Sequence, residues 1–247
     1  NIAPYYDDCD KDKNFHRILF RPGFAVQARE LTQMQTILQE QVTRFGDHIL
    51  KEGSKVFGGD VTLNTQVNSL KLESAFDSAT VTVSSFEGKT ITGGSSGAKG
   101  LVIRAEALTV SDQPTLIFSK LGGGNFLDGE TISTLETTPY QANTVSLSGA
   151  SGVQYAQNTA SVASITEGCF YISGFFVLNP AQTIALDKYS GLPTKRIGLT
   201  VTESIVQTDD DSSILDNAQG TANYAAPGAD RFKMALTLTS LDIATTT

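Results

Sequence analysis

Between Ala28 and Leu50 the apolar side chains recur at Leu31, Met34, Leu38, Val42, Phe45 and Ile49, in steps of 3, 4, 4, 3 and 4. Eighteen residues in five turns is the period of a straight α-helix carrying one apolar stripe. A strict heptad would need apolar residues at 41 and 48, where Gln and His stand, so a long left-handed supercoil is not the expectation. The other face carries Gln33, Gln35, Gln39, Glu40, Gln41 and Arg44. The stripe should therefore be buried, either on the chain's own β body or against sister helices. Gly53 is a suitable terminator just past the helix. Residues 1–18, NIAPYYDDCDKDKNFHRI, have no period and read as an extended arm, and Pro22-Gly23 suits a turn between arm and helix.

From Val56 onward the period changes to two. VTLNTQVNSLKLES and SATVTVSS alternate as half-buried strands do. Residues 88–135 then read as strand, Gly/Ser turn, strand, twice over, with Gly-rich turns at 93–97 and 122–124 that favour meandering hairpins. The polar stretch TTPYQANTVSLSGASG separates this module from the strands GCFYISGFFVLNPAQTIALD, RIGLTVTESIVQT and RFKMALTLTSLDI. Between the last two lies DDDSSILDNAQGTANYAAPGAD. A loop of turn formers this long is usually functional or packed on a partner. The expected fold is mainly β with one long N-terminal helix (α+β). It comprises an arm and helix over 1–55, an antiparallel β body over 56–87 and 150–247, and a small β module inserted at 88–149.

Composition narrows the function classes. Only 18% of the 247 residues are charged and the net charge is −8, whereas binding to nucleic acid needs clustered Lys and Arg. The same sign disfavours anionic membranes. No apolar run reaches the ~18 residues of a membrane span, and NIAPYYDDCD has neither the basic start nor the apolar stretch of a signal peptide. Cys9 and Cys169 are the only cysteines and are expected to be free and reduced. The start at Asn1 and the strand-like close DIATTT are expected to belong to a longer gene product.

Catalytic material is sparse. The only histidines are His16 and His48, Cys169 has no histidine near it in sequence, and no G-x-S-x-G elbow occurs. Asp8-Cys9-Asp10-Lys11-Asp12 opens like a calcium loop, but Lys13 stands where the loop needs Gly and Leu19 where it needs Glu. Asp209-Asp210-Asp211, like the first acidic run, reads as a solvated turn. GGSSGAKG is followed by Leu101 and Val102, and no helix pattern follows, so it is not a phosphate loop. No cofactor, metal or catalytic residue is expected, and the chain is not expected to be an enzyme.

Two stretches carry a resemblance. FHRILFRPGFAVQARELTQMQTILQEQVTRFGDHILKEGSKV and LDNAQGTANYAAPGADRFKMALTL resemble two signatures of a family of tailed-bacteriophage virion proteins. These carry a domain of unknown function and are frequent in contractile-tailed phages, cyanophages included. The resemblance implies a baseplate or tail-fibre attachment protein in the virion, assembled in the host cytoplasm. Its partners would be further copies of itself, three for preference, and neighbouring baseplate or tail proteins. The expected contacts are Phe15, Phe20, Arg21, Phe24, Leu31, Met34 and Leu38 in the arm and helix, and Asn217, Tyr224 and Arg231 in and beside the 209–230 loop. A second reading makes the chain a receptor-binding module whose 85–140 region recognises host surface glycans through Phe86, Phe118, Phe126 or Tyr140. A third, weaker reading is an envelope polysaccharide depolymerase.

Overall fold

The computed structural model describes residues 4–145 and 156–243. The first three residues, the part of the polar separator beyond Val145 and the closing ATTT lie outside the described residues. Among those described, one long helix, α1 (Ala28–Ile49), precedes a succession of strands. In chain order these are β1 (Lys55–Gly58), β2 (Val61–Lys71), β3 (Ala75–Phe76), β4 (Ala79–Thr80), β5 (Thr90–Gly93), β6 (Lys99–Glu106), β7 (Thr115–Gly122), β8 (Thr131–Thr134), β9 (Gln141–Asn143), β10 (Gln157–Ile165), β11 (Gly168–Ile172), β12 (Phe175–Asn179), β13 (Gln182–Asp187), β14 (Lys195–Val206) and β15 (Arg231–Asp242). The fold is the β-rich α+β architecture that the two periods predict.

The chain divides into two compact units, and the division differs from the expected one. The first comprises Asn1–Gly59, Glu167–Pro180 and Glu203–Ala235; the second comprises Asp60–Thr166, Ala181–Thr202 and Leu236–Thr247. In the second unit the main sheet has the order β13-β10-β2-β7-β6-β5-β8-β9. Past β9 the chain returns to the end of β2: Leu72 bridges Thr144, the Val145 N–H donates to Lys71 O at 2.9 Å, and the Glu73 N–H donates to Asn143 O at 2.9 Å. The run from β2 to β9 thereby closes on itself, leaving no free edge within it. Its interior holds Leu70, Leu72, Phe86, Ile91, Leu116, Phe118, Phe126 and Ile132, all at most 1% exposed. Phe118 and Phe126 meet edge to face at 5.3 Å. A Cβ on Gly100 would fall 2.2 Å from a Phe118 ring carbon, so only glycine lets β6 pass this ring.

This closure corrects three expectations. The 88–149 region is not a separate module, because its strands complete a barrel only with β2, which precedes it. The first half of the polar separator is not a spacer either: Gln141–Asn143 is the last barrel strand, with Ala142 and Thr144 small enough to face inward. SATVTVSS does not form one alternating strand. After β4 it turns into a 3-10 helix, Val83–Phe86, whose three-residue step sends both Val83 and Phe86 into the core. The two Gly-rich turns are also unlike one another. The first joins the paired strands β5 and β6, whereas β7 pairs with β6 and β2, and β8 with β5 and β9.

A carboxylate organises the first of these turns. Glu130, 5% exposed, accepts the backbone N–H groups of Ser95, Ser96 and Leu127 at 3.0, 2.9 and 2.8 Å, and the Ser96 hydroxyl at 2.8 Å. SGAKG and FLDGE are thus two halves of one device: a buried anion supplied by the second satisfies amides of the first. Elsewhere in the unit the Gln182 amide donates to Leu236 O and accepts from the Leu238 N–H, each at 2.9 Å, tying in the last strand.

Candidate assembly surface

The first unit is built around α1. Its start is set by Glu30, whose carboxylate accepts the Gln27 N–H at 2.9 Å, closing the first turn. β1, β11 and β12 form a three-stranded antiparallel sheet, in which Ser173 and Gly174 make the tight β11–β12 turn with positive φ at both positions. The helix meets this hairpin through Tyr171. The Tyr171 hydroxyl donates to Asp47 at 2.7 Å and contacts the Thr43 carbonyl at 3.1 Å, and a Cβ on Gly46 would fall 2.5 Å from the ring. Burial, reinforced by the Asp47 carboxylate, pushes this hydroxyl up to about 12. Gln39 donates to Gly174 O at 2.8 Å, and Glu52 accepts the Ser173 N–H at 2.9 Å.

A second face of the same helix is covered by the N-terminal arm. Asp7 accepts from the Thr36 hydroxyl, Asp8 accepts from Arg29 at 2.9 Å and from the Gln33 amide, and Lys11 pairs with Glu40. Arg44 reaches Glu40 at 3.0 Å, and Lys11 together with Arg44 holds the Glu40 carboxyl below the usual carboxylate range against the cost of burial. Asp10 accepts the Asp12 N–H at 3.0 Å and caps the short 3-10 turn Lys11–Lys13. The acidic run that resembles a calcium loop therefore fastens the arm to the helix, so it is more than a solvated turn.

The apolar stripe is left outside. Leu31, Met34, Leu38, Val42, Phe45 and Ile49 are all exposed, from 42% at Met34 and Val42 to 68% at Phe45, while Ile37 and Gly46 are the buried residues of the helix. The face expected to be solvated is the one that makes the intrachain contacts. The reason is chemical: Gln33, Thr36, Gln39 and Glu40 have hydrogen-bond partners waiting on the arm and hairpin, which Leu and Phe could not satisfy. The arm also exposes apolar side chains: Phe15, Phe20 and Phe24 are exposed, with Arg21 stacked 4.6 Å above the Phe24 ring.

The long loop is not structureless. The Asp216 N–H donates to Ala226 O and the Ala225 N–H returns to Asp216 O, both at 2.9 Å, closing its neck. Asp211 caps the 3-10 turn Ser212–Ile214, and its hydrogen bonds from Ser213 lower its carboxyl pKa. Asp210 accepts the Gln207 N–H at 3.0 Å. Asn217 and Tyr224 are exposed on this loop, and Arg231 contacts Ala229 O at its end. Arg231 also lines a groove of about 810 Å³ with Tyr5, Asp7, Thr36, Asp230 and Phe232, where the Tyr5 hydroxyl donates to Asp230. All ten residues singled out from sequence thus fall in the first unit and on its surface. Only Arg21 and Phe24 touch one another among the contacts described here, and Leu31, Met34 and Leu38 share one helix face. The composition gave no sign of Tyr171, Gly46, Asp8 or Glu40, the residues that orient the stripe. The steps 43, 46 and 47 along the helix, small then polar, were the one available signal.

Residues read for chemistry lie apart. His16 is on the arm and His48 is exposed in the last helical turn, while Cys169 is buried in β11, where burial raises its thiol pKa. In the second unit Asp112 is clasped by Lys71 at 2.9 Å, Lys188 at 3.2 Å and the Tyr189 hydroxyl at 2.7 Å. Burial alone would raise its pKa, but these three partners outweigh it and hold the carboxyl at about 2. Of the four aromatics considered for glycan recognition, Phe86, Phe118 and Phe126 are core residues, and Tyr140 alone is exposed, with the Lys89 ammonium 4.1 Å above its ring. Among the described residues no helix is long and apolar enough to cross a membrane.

A family model described as a domain of unknown function (DUF4815) matches residues 3–129 and 134–246. The chain belongs to this family. Comparison with curated proteins and with solved structures finds no match. The DUF4815 match runs through both units, so the arm, the helix and the barrel all belong to the family's domain.

Proposed function

We propose that the chain is a non-enzymatic structural component of a phage tail, an adapter that links baseplate and tail fibre through its first unit. The observation that supports this is the outward apolar stripe of α1, held in that orientation by hydrogen bonds on the helix's other faces. Contiguous exposed apolar surface marks a contact to be made, and Phe15, Phe20 and Phe24 are further exposed apolar side chains on the arm. The attribution to a phage rests on the two stretches that resemble virion proteins. They cover 15–56 and 215–238, and all but the last three residues of the second belong to the same first unit. The long loop and Arg231 would supply the polar rim of the contact, and the product would reside in the virion after assembly in the host cytoplasm.

The glycan-binding reading draws on Tyr140 alone in the 85–140 region, which is a poor stacking platform. It remains the reading to prefer if the isolated chain binds a glycan array, and release of reducing sugar from host envelope would favour the depolymerase instead. The adapter reading is tested by mass spectrometry of purified particles and by deleting the gene. The chain should be found in tails, and its deletion should yield tails that lack fibres. Its absence from particles, or deletion particles with a full set of fibres, would overturn the proposal.

A further inference from the structure

What covers the stripe is written in its spacing and its flanks. The steps 3, 4, 4, 3 and 4 make two successive units of 11 residues, Leu31–Met34–Leu38 and Val42–Phe45–Ile49, with the same position repeated from one unit to the next. An 11-residue unit spans three turns at about 3.67 residues each, near enough to the straight helix that the seam runs along the axis with a slight right-handed drift. Such a seam can be followed from end to end by another helix lying nearly parallel to it. A curved groove on a globular partner does not need so regular a spacing.

The flanks say which helix. Beside the stripe stand Gln35 on one side and Gln41 and His48 on the other, at neighbouring angles on a 3.6-residue wheel. The remaining side chains of α1 that carry charge are Arg29, Glu30, Glu40, Arg44 and Asp47, and every one has a partner within the chain: Asp8, the Gln27 N–H, Lys11 and Arg44, Glu40, and Tyr171. Apart from Glu30 at the start of the helix, which stands at the angle of His48, the flanks of the seam carry no Asp, Glu, Lys or Arg, on a chain whose net charge is −8. Two copies of that chain repel one another wherever charged surface meets, and the seam offers a contact free of that repulsion. An amide both donates and accepts, so Gln35 and Gln41 can face their own copies without an unsatisfied group. A charged partner of a different kind would find no complement here.

Area sets the number of copies. The seam is about 27 Å long, and one helix laid along it hides on the order of half the ~800 Å² per partner that a stable specific interface takes. In a closed ring each helix meets two neighbours and uses its stripe on both, and three copies is the smallest such ring. We infer that α1 is the seam of a homotrimer, three parallel copies of this chain packed Leu31 to Ile49 around a common axis. This deepens the adapter reading by naming a partner, and it can fail while that reading stands.

The experiment is light scattering on the purified chain across about 1–100 μM, the range in which weak self-association shows. The expected mass is three times 26.3 kDa. The double variant Leu38→Glu/Phe45→Glu should give one copy with an unchanged far-UV spectrum, while Leu63→Glu, an exposed apolar position on β2, should leave the trimer intact. Leu31→Cys under mild oxidation should cross-link to itself, as parallel copies in register require. A monomer or dimer of the unaltered chain, a trimer that survives the double variant, or the absence of that cross-link would each overturn the inference. Finding the monomer in tails all the same would show the stripe to be covered by a different protein.

Discussion

In the barrel of the second unit, Leu70, Phe118, Phe126 and Ile132 are sealed from solvent; on the helix of the first unit, Leu38, Phe45 and Ile49 face outward at 61% exposure or more. Residues of the same chemistry have opposite fates in the two regions. The difference lies in what the polar residues beside them require. In the barrel the backbone amides satisfy each other along the strands, so most inward positions can be apolar, with Thr144 and Glu130 among the buried polar exceptions. Around α1 the polar side chains themselves find partners, Asp8 for Arg29 and Gln33, Asp7 for Thr36, Tyr171 for Asp47. Once these bonds orient the helix, its stripe has nowhere to go but out. Burial of apolar surface drives the folding of the barrel; for the stripe it would come only with the proposed assembly.

The sharpest way to separate the two is to remove one large side chain from each. Phe118→Ala should cost about 3–5 kcal/mol, the usual loss on emptying a sealed aromatic site, read as a fall in the midpoint of chemical denaturation. Removing the buried carboxylate with Glu130→Ala strands the Ser95, Ser96 and Leu127 amides, and about 2–4 kcal/mol should be lost in the same measurement. If Glu130→Ala proved neutral, the two Gly-rich segments would not depend on one another. Gly46→Ala tests the orientation of the helix: its Cβ would press on a buried ring, and about 1–3 kcal/mol of destabilisation is expected.

Acid provides a third probe of the second unit. Asp112 has its folded pKa depressed to about 2 from the ordinary 3.8. Its contribution is therefore complete above pH 4 and lost as pH falls toward 2, and at full size it is about 2 kcal/mol. Asp112→Asn should flatten this part of the stability curve between pH 4 and pH 2. The smallest effect should come from the stripe. Leu38→Gln should change the stability of the isolated, dilute chain by no more than about 0.5 kcal/mol. A loss comparable to that of Phe118→Ala would mean that the stripe is buried in the folded monomer, and the contrast between the two regions would collapse.

Much of this was legible in the residues. The helix is foreseen to within a residue of its end, because a stripe of six apolar side chains at helical spacing has no other regular solution. Most strands follow from period two. The barrel was not legible as such. Its closure depends on Thr144 and Val145 meeting Leu72 and Lys71, some seventy residues away, and in sequence that segment is only polar and turn-rich. The 3-10 turn Val83–Phe86 is not distinguishable from strand in the sequence, because alternation over so few residues is also compatible with a three-residue step. The ten residues singled out all lie in the first unit, and the residues that aim the helix are not among them. Tyr171 and Gly46 lie 125 positions apart and carry no local mark.

By itself, then, the sequence determined the elements: a straight helix with one apolar stripe, a β-rich remainder, and an acidic balance of charge. Local spacing, propensity and charge are sufficient for these. Only the tertiary structure decided which side of the helix is inside. That choice depends on whether polar partners or apolar ones are waiting at a distance, and here Asp7, Asp8, Lys11 and Tyr171 were waiting for the polar face.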